Sequence, residues 1–165
     1  MPRRHPLVAG GMARQCFAMP SPRLAVRAIL LHKDRLLLVN AYRGREDLWC
    51  APGGGVEVHE SLPDTLAREV REETGLEVAV GEPALVNEFH DPEGTFHQVD
   101  LYFRCRLVAG ELSAAWTDPE GVVTRRRWVT RDEMSRLRVK PDSLAAAAWD
   151  GAGAPLYDPL EPILR

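Results

Sequence analysis

The chain has 165 residues, 45% of them apolar and 27% charged, with a formal net charge of −3. Those values suit one soluble globular domain and give no support for a general nucleic-acid binder. No apolar run approaches the roughly 18 residues needed to cross a bilayer, and Cys16, Cys50 and Cys105 form no CxxC pair, which predicts free thiols in a reducing cytoplasm and neither a zinc site nor a disulfide framework.

The first 20 residues carry no acidic side chain and no continuous apolar stretch. Residues 1–21 therefore read as a flexible leader in preference to a targeting peptide. Branched apolar residues at 23–31 (RLAVRAILL) and 35–42 (RLLLVNAY) flank the turn HKD and predict a β-hairpin. Gly, Pro and charge then mark a loop, with a short strand near 48–51.

The next element is the most strongly patterned. Ser61 is an N-cap that Asp64 can extend to a capping box, and Pro63 sits in the first turn. Leu62, Leu66, Ala67 and Val70 mark one buried helical face, and Gly75 ends the helix. Two short β pieces follow, at 76–80 and 84–90, then a turn at 90–94 (HDPEG). In the strand predicted at 96–108, Val99, Leu101, Phe103, Cys105 and Leu107 are set against His97, Asp100, Tyr102, Arg104 and Arg106, which predicts one wet face.

Residues 121–130 read as another strand. Thr130 caps a short helix, and 142–149 suggests a second. The Gly- and Pro-rich tail keeps Leu156, Tyr157, Leu160, Ile163 and Leu164, which would cover a subunit interface in a homodimer or fold back on the same domain. Strands on both sides of one marked helix predict an α/β or α+β sandwich with a mixed sheet. The expected organisation is a domain over 22–140, followed by a helix and tail over 141–165.

The marked helix carries Glu69, Glu72 and Glu73 in its last two turns. At about 100° per residue they share one arc of roughly 100°, next to the buried arc. Like charges at i,i+3 and i,i+4 cost about 0.2–0.5 kcal/mol each. The negative end of the helix dipole adds a similar penalty. A hard divalent cation resolves the conflict, because it takes carboxylate oxygens and bridges to substrate phosphates. Such an ion lowers the pKa of a water and neutralises phosphoryl charge. Gly53, Gly54 and Gly55 permit close backbone approach to such a site.

Gly54, then five residues, Glu60, then seven residues and REVREETGL (68–76) resemble the complete Nudix box. Gly53 and Glu57, in the preceding stretch and within it, also look like that family. The resemblance implies an α/β/α sandwich and a Mg²⁺- or Mn²⁺-dependent hydrolase of nucleoside diphosphates linked to another group. It implies metal binding by Glu69, Glu72, Glu73 and the Gly53 carbonyl, an orienting role for Arg68, and a supporting carboxylate at Glu60. Gly54 and Gly55 become candidate substrate contacts.

Outside the box, His90, Glu93, His97 and Asp100 are candidates for a general base or a further ligand, and His97 for a substrate contact. Ordinary surface or loop roles are the plainer reading for each. Trp49 and Phe89 could stack on a base or simply pack. Arg125, Arg126 and Arg127 could meet phosphates, although alternation turns at least one of them away. Asp91 and Pro92 form a weak family hint of ADP-ribose, and HDPEG is an adequate turn on its own terms.

The expected activity is hydrolysis of a diphosphate linkage in a small nucleotide, either a nucleotide sugar such as ADP-ribose or a nucleoside triphosphate. Neither a membrane nor a nucleic acid is expected as partner. The rival reading is a catalytically silent nucleotide-sensing or interaction module on the same fold. A purely structural acidic helix is the third.

Overall fold

The computed structural model describes residues 21–151 and 153–164; the expected leader, up to residue 20, lies outside them. Strands β1 (Arg23–His32) and β2 (Arg35–Asn40) form the expected hairpin. Its turn is Lys33 and Asp34, with φ of 50° and 59°, the left-handed pair that matches strand twist in a two-residue turn. The arms stay paired only at Leu31–Leu36 and His32–Arg35. Beyond that β1 runs parallel to β6 (His97–Ala109), while β2 diverges toward β3 (Trp49–Cys50) and β7 (Arg126–Val129). The wedge between the arms takes the glycine strand β4 (Gly53–Gly55), antiparallel to β1. β6 also pairs antiparallel with β5 (Glu77–His90). The far edge of β5 carries two short parallel strands, β8 (Leu156–Tyr157) and β9 (Glu161–Pro162).

This mixed sheet has an apolar core on each face. Val26, Ala28 and Leu30 of β1 point toward α1 (Leu62–Thr74), where they meet Leu66, Val70 and Phe103. On the other face Ile29, Leu36, Leu38 and Tyr102 pack under α2 (Arg131–Ser135) and α3 (Leu144–Trp149), against Met134, Leu144 and Ala147. Strands buried on both faces lose the alternation of wet and dry that an exposed sheet shows. No helix among the described residues is long and apolar enough to cross a membrane.

Four local expectations are corrected. The box at Ser61 is half formed: Ser61 Oγ accepts from the Asp64 N–H at 3.2 Å, but the Asp64 carboxylate accepts from the hydroxyl itself at 2.6 Å. Aspartate is one methylene shorter than the glutamate that reaches back to the cap; α2 has that glutamate, and Glu133 closes a full box on Thr130. The two pieces at 76–80 and 84–90 are one strand, β5, with register shifts between Val80, Pro83 and Leu85. Proline lacks the N–H for a regular ladder, so the strand bulges there and continues.

The face of β6 expected to be wet is largely covered. Gln98, Asp100 and Tyr102 are each 2% exposed, and of the described residues on that face Arg106 and Val108, at the far end, reach solvent. Strand β7 begins at Arg126 and not at 121. Before it, side chains take the place of a ladder: Asp118 accepts from the N–H groups of Glu120, Val122 and Val123, and Asn40 Oδ1 from those of Thr124 and Arg125.

Candidate functional site

The arrangement begins with the glycine strand. Gly53 sits at φ 143°, and a Cβ there would overlap the Val26 carbonyl on β1. Only glycine lets β4 lie this close to β1. Its N–H donates to Glu73 Oε2 at 2.8 Å, and its carbonyl accepts from Arg27 Nη1 at 2.9 Å. At Gly54 a Cβ would overlap the Glu69 carboxylate, so the missing side chain is what allows α1 to approach. Gly53→Ala is expected to cost about 1–3 kcal/mol through strain and overpacking, seen as a fall in melting temperature together with disturbed Glu73 positioning.

Arg68 organises the carboxylates. Its Nε and Nη2 donate to both oxygens of Glu60, at 3.1 and 3.0 Å, and Glu60 also accepts from Thr65 Oγ1. These bonds from Arg68 and Thr65 hold the Glu60 carboxyl below its usual range. The third nitrogen, Nη1, donates to Glu69 at 2.9 Å and Glu72 at 3.2 Å. A planar guanidinium fixed by one bidentate carboxylate thus presents its remaining edge to two others.

Glu73 lies deeper. Burial pushes its carboxyl up to about 8, against the opposing pull of Arg27 and the Gly53 N–H. Glu69 is also raised, first by burial and in spite of Arg68. The helix end that carries these charges has its own compensation. Trp116 Nε1 donates to the Glu72 carbonyl at 2.9 Å, and Arg126 Nε donates to the Glu73 carbonyl. A cation and an indole from later elements satisfy the orphan carbonyls at the negative end of the dipole.

Glu69, Glu72 and Glu73, with the three glycines, line one side of a cleft of about 640 Å³. Its floor is the α3-side face of the sheet. Arg27, Gln98, Asp100 and Asn87 occupy it, and Phe89 lies in the next row. Asp100 Oδ1 accepts from Gln98 Nε2 at 2.9 Å and faces Arg27 Nε at 3.4 Å. Cys50 also lines the cleft, and burial pushes its thiol up to about 11, so it is protonated and unreactive at neutral pH. Asp118 and Glu120 add carboxylates beside the helix, and Ile163 and Leu164 form part of the wall.

Of the four candidates after the box, Asp100 alone lines this cleft. His97 is on the opposite face of β6, with Nε2 3.4 Å from Glu88, and its neighbour Gln98 faces the cavity instead. His90 and Glu93 lie away from the lining. Phe89 faces the cleft, while Trp49 belongs to the core, beneath Arg127 at 5.5 Å from its ring. The three arginines separate: Arg125 pairs with Glu46, Arg126 caps α1, and Arg127 stacks on Trp49. Among the described residues none of the three meets the cleft. Arg27, Asn87 and Asp118 were not singled out from the sequence. For Arg27 the available signal was a charge inside the apolar run RLAVRAILL.

A family model described as the NUDIX domain matches residues 21–149. Human nucleoside diphosphate-linked moiety X motif 6 is 36% identical over 112 residues, 68% of this chain and 33% of that protein. Human diphosphoinositol polyphosphate phosphohydrolase 3-alpha is 32% identical over 96 residues, 58% of this chain and 55% of that protein. The chain therefore spans between about a third and about a half of these relatives' length. The crystal structure of a UDP-X diphosphatase superposes with a TM-score of 0.66 at 21% identity, covering 88% of this chain and 71% of that one, a likeness of fold. With the match of the family model over most of its length, the chain belongs to the NUDIX domain family.

Proposed function

We propose that this chain hydrolyses the diphosphate linkage of a nucleoside diphosphate derivative, using Mg²⁺ or Mn²⁺ held by Glu69, Glu72, Glu73 and the Gly53 carbonyl. The observation that carries the reading is the gathering of three helical carboxylates and a glycine strand along one side of a cleft of about 640 Å³, within the ~300–1,000 Å³ typical of ligand sites.

The residues fit the ion. The donor set is all oxygen, as a hard cation requires. Glu73 is a carboxyl driven up to about 8 by burial, which an adjacent cation would reverse. Among the described residues no three His, Cys, Asp or Glu side chains already close into a cage; Arg68 and the Gly53 N–H hold the carboxylates instead. When bound, the ion would supply Lewis acidity and a more acidic water.

The chain's own residues do the positioning. Glu60 anchors Arg68, Arg68 aims Glu69 and Glu72, and the Gly53 N–H fixes Glu73. Burial strengthens the bond from the Gly53 N–H to Glu73 most, because Glu60, Arg68 and Glu72 stay partly exposed.

The names of two relatives support a diphosphate linkage, one naming a nucleoside diphosphate-linked moiety and the other a diphosphoinositol polyphosphate, and only the first carries a nucleoside. The test is a panel containing ADP-ribose, UDP-sugars, nucleoside triphosphates and a diphosphoinositol polyphosphate, with products identified by mass spectrometry. Turnover that stops with EDTA and returns with Mg²⁺ is the expected result. Nucleotide binding without turnover of any member would replace this reading with the sensing module.

A further inference from the structure

We propose that Asn87 is a specificity-determining residue, which reads the edge of the substrate's nucleobase at the end of the cleft away from the glutamates. The proposal rests on the hydrolase reading for the diphosphate end of the same ligand.

Asn87 is 2% exposed and lines the cleft, yet its Nδ2 finds no acceptor among the described residues. A buried amide donor without a partner is unusual, because it costs about 1–3 kcal/mol of desolvation with no return. The atom is therefore either a standing defect or half of a bond whose other half arrives with the ligand.

Its position says which part of the ligand. One row across the sheet runs Gly55–Ala25–Asp100–Asn87 through β4, β1, β6 and β5. Three strand spacings of 4.7–4.9 Å put Asn87 about 14 Å from the glycine strand. A group bonded at Asn87 is thus not the phosphate beside Glu69 and Glu73. The span matches a nucleoside diphosphate laid across the floor, its phosphates at the glycines and its base at β5.

The chemistry of the surroundings selects a base in preference to a second sugar. A side-chain amide offers a donor and an acceptor side by side in one plane, the pattern that asparagine uses in bidentate pairing with adenine. Phe89, two residues along β5 on the same face, offers a flat ring beside it.

The test uses Asn87→Leu, which has the same branched heavy-atom shape, is larger and cannot hydrogen-bond, with Asn87→Ala as a second variant. Two readouts are needed. First, the melting temperature of ligand-free Asn87→Leu should rise by about 2–6 °C, since an unmatched donor is replaced by apolar packing. Second, KM for nucleotide substrates should rise about 10-fold with kcat within about twofold, and preference among bases should shrink. Turnover of a base-free diphosphoinositol polyphosphate should not change. Calorimetry with AMP and UMP gives the affinity arm independently of turnover. If parent and variants bind these nucleotides equally, or if all substrates weaken alike while the melting temperature falls, the proposal is overturned. A parent protein that turns over nothing while Asn87→Leu loses nucleotide affinity would overturn the hydrolase reading and support the assignment of Asn87.

Discussion

Glu73→Gln is expected to lower kcat/KM about 10²–10³-fold on whichever panel substrate the parent protein hydrolyses, while the melting temperature stays within a few degrees. The two halves of this expectation have separate causes. Glutamine keeps an oxygen that can accept from the Gly53 N–H, now at 2.8 Å from Glu73 Oε2, so the contact between α1 and β4 survives. It also removes a carboxylate that burial already disfavours, with a carboxyl pushed up to about 8. What is lost is the negative charge that Glu73, buried more deeply than Glu69 beside the glycine strand, would hold against a bound cation. Losing one preorganised electrostatic partner of a developing charge costs on the order of 10²–10³ in rate. Glu72→Gln should fall in the same direction and should also loosen Arg68, which donates to Glu72 at 3.2 Å. Rates equal to the parent in both variants, on a validated substrate, would remove the basis for the proposed function.

The acidic arc was legible because it breaks a local rule. A helix built only for stability would not end in three carboxylates, and the cost could be worked out from spacing alone. The compensation was not legible. Arg126 and Trp116 cap the Glu73 and Glu72 carbonyls from more than 40 residues downstream, and nothing in REVREETGL requires them. RRR at 125–127 read as a candidate phosphate contact with at least one arginine turned away, whereas the fold sends all three elsewhere, to Glu46, to the end of α1 and to the Trp49 ring.

The cleft floor was hidden for a related reason. Alternation along β6 was visible, but a polar side of a strand looks the same in sequence whether it faces water or a cavity. Asp100 and Tyr102 were therefore assigned to the wet face. Only the parallel pairing of β1 with β6 puts them beside Arg27 and beneath a roof of later residues. Parallel pairing leaves no local turn signal, unlike the hairpins. The same limit applies to Asn87, whose meaning depends on a partner that its strand neighbours do not provide.

Arg27→Leu is expected to destabilise the protein by about 3–5 kcal/mol, and Arg27→Leu with Asp100→Leu by clearly less than the sum of the single changes. Arg27 and Asp100 are 19% and 3% exposed in their side chains, so water can replace neither partner well. Arg27 also donates to the carbonyls of Gly53 and Ala51, at 2.9 and 3.4 Å, which ties the glycine strand to β1. Removing the guanidinium leaves a buried carboxylate and two buried carbonyls short of a donor. Removing both charges at once takes away the unpaired carboxylate and leaves only the carbonyls. At about 2–4 °C per kcal/mol for a chain of this size, the single change should lower the melting temperature by about 6–20 °C. A double-mutant cycle read by thermal denaturation measures the coupling directly. Additive effects would mean that Arg27 acts through the Gly53 and Ala51 carbonyls alone, and that the charge pair beneath the cleft contributes nothing to the fold. A coupling of about 1–3 kcal/mol would show that the floor of the cleft is held by that pair, with the geometry of the glycine strand depending on a residue that the box itself does not contain.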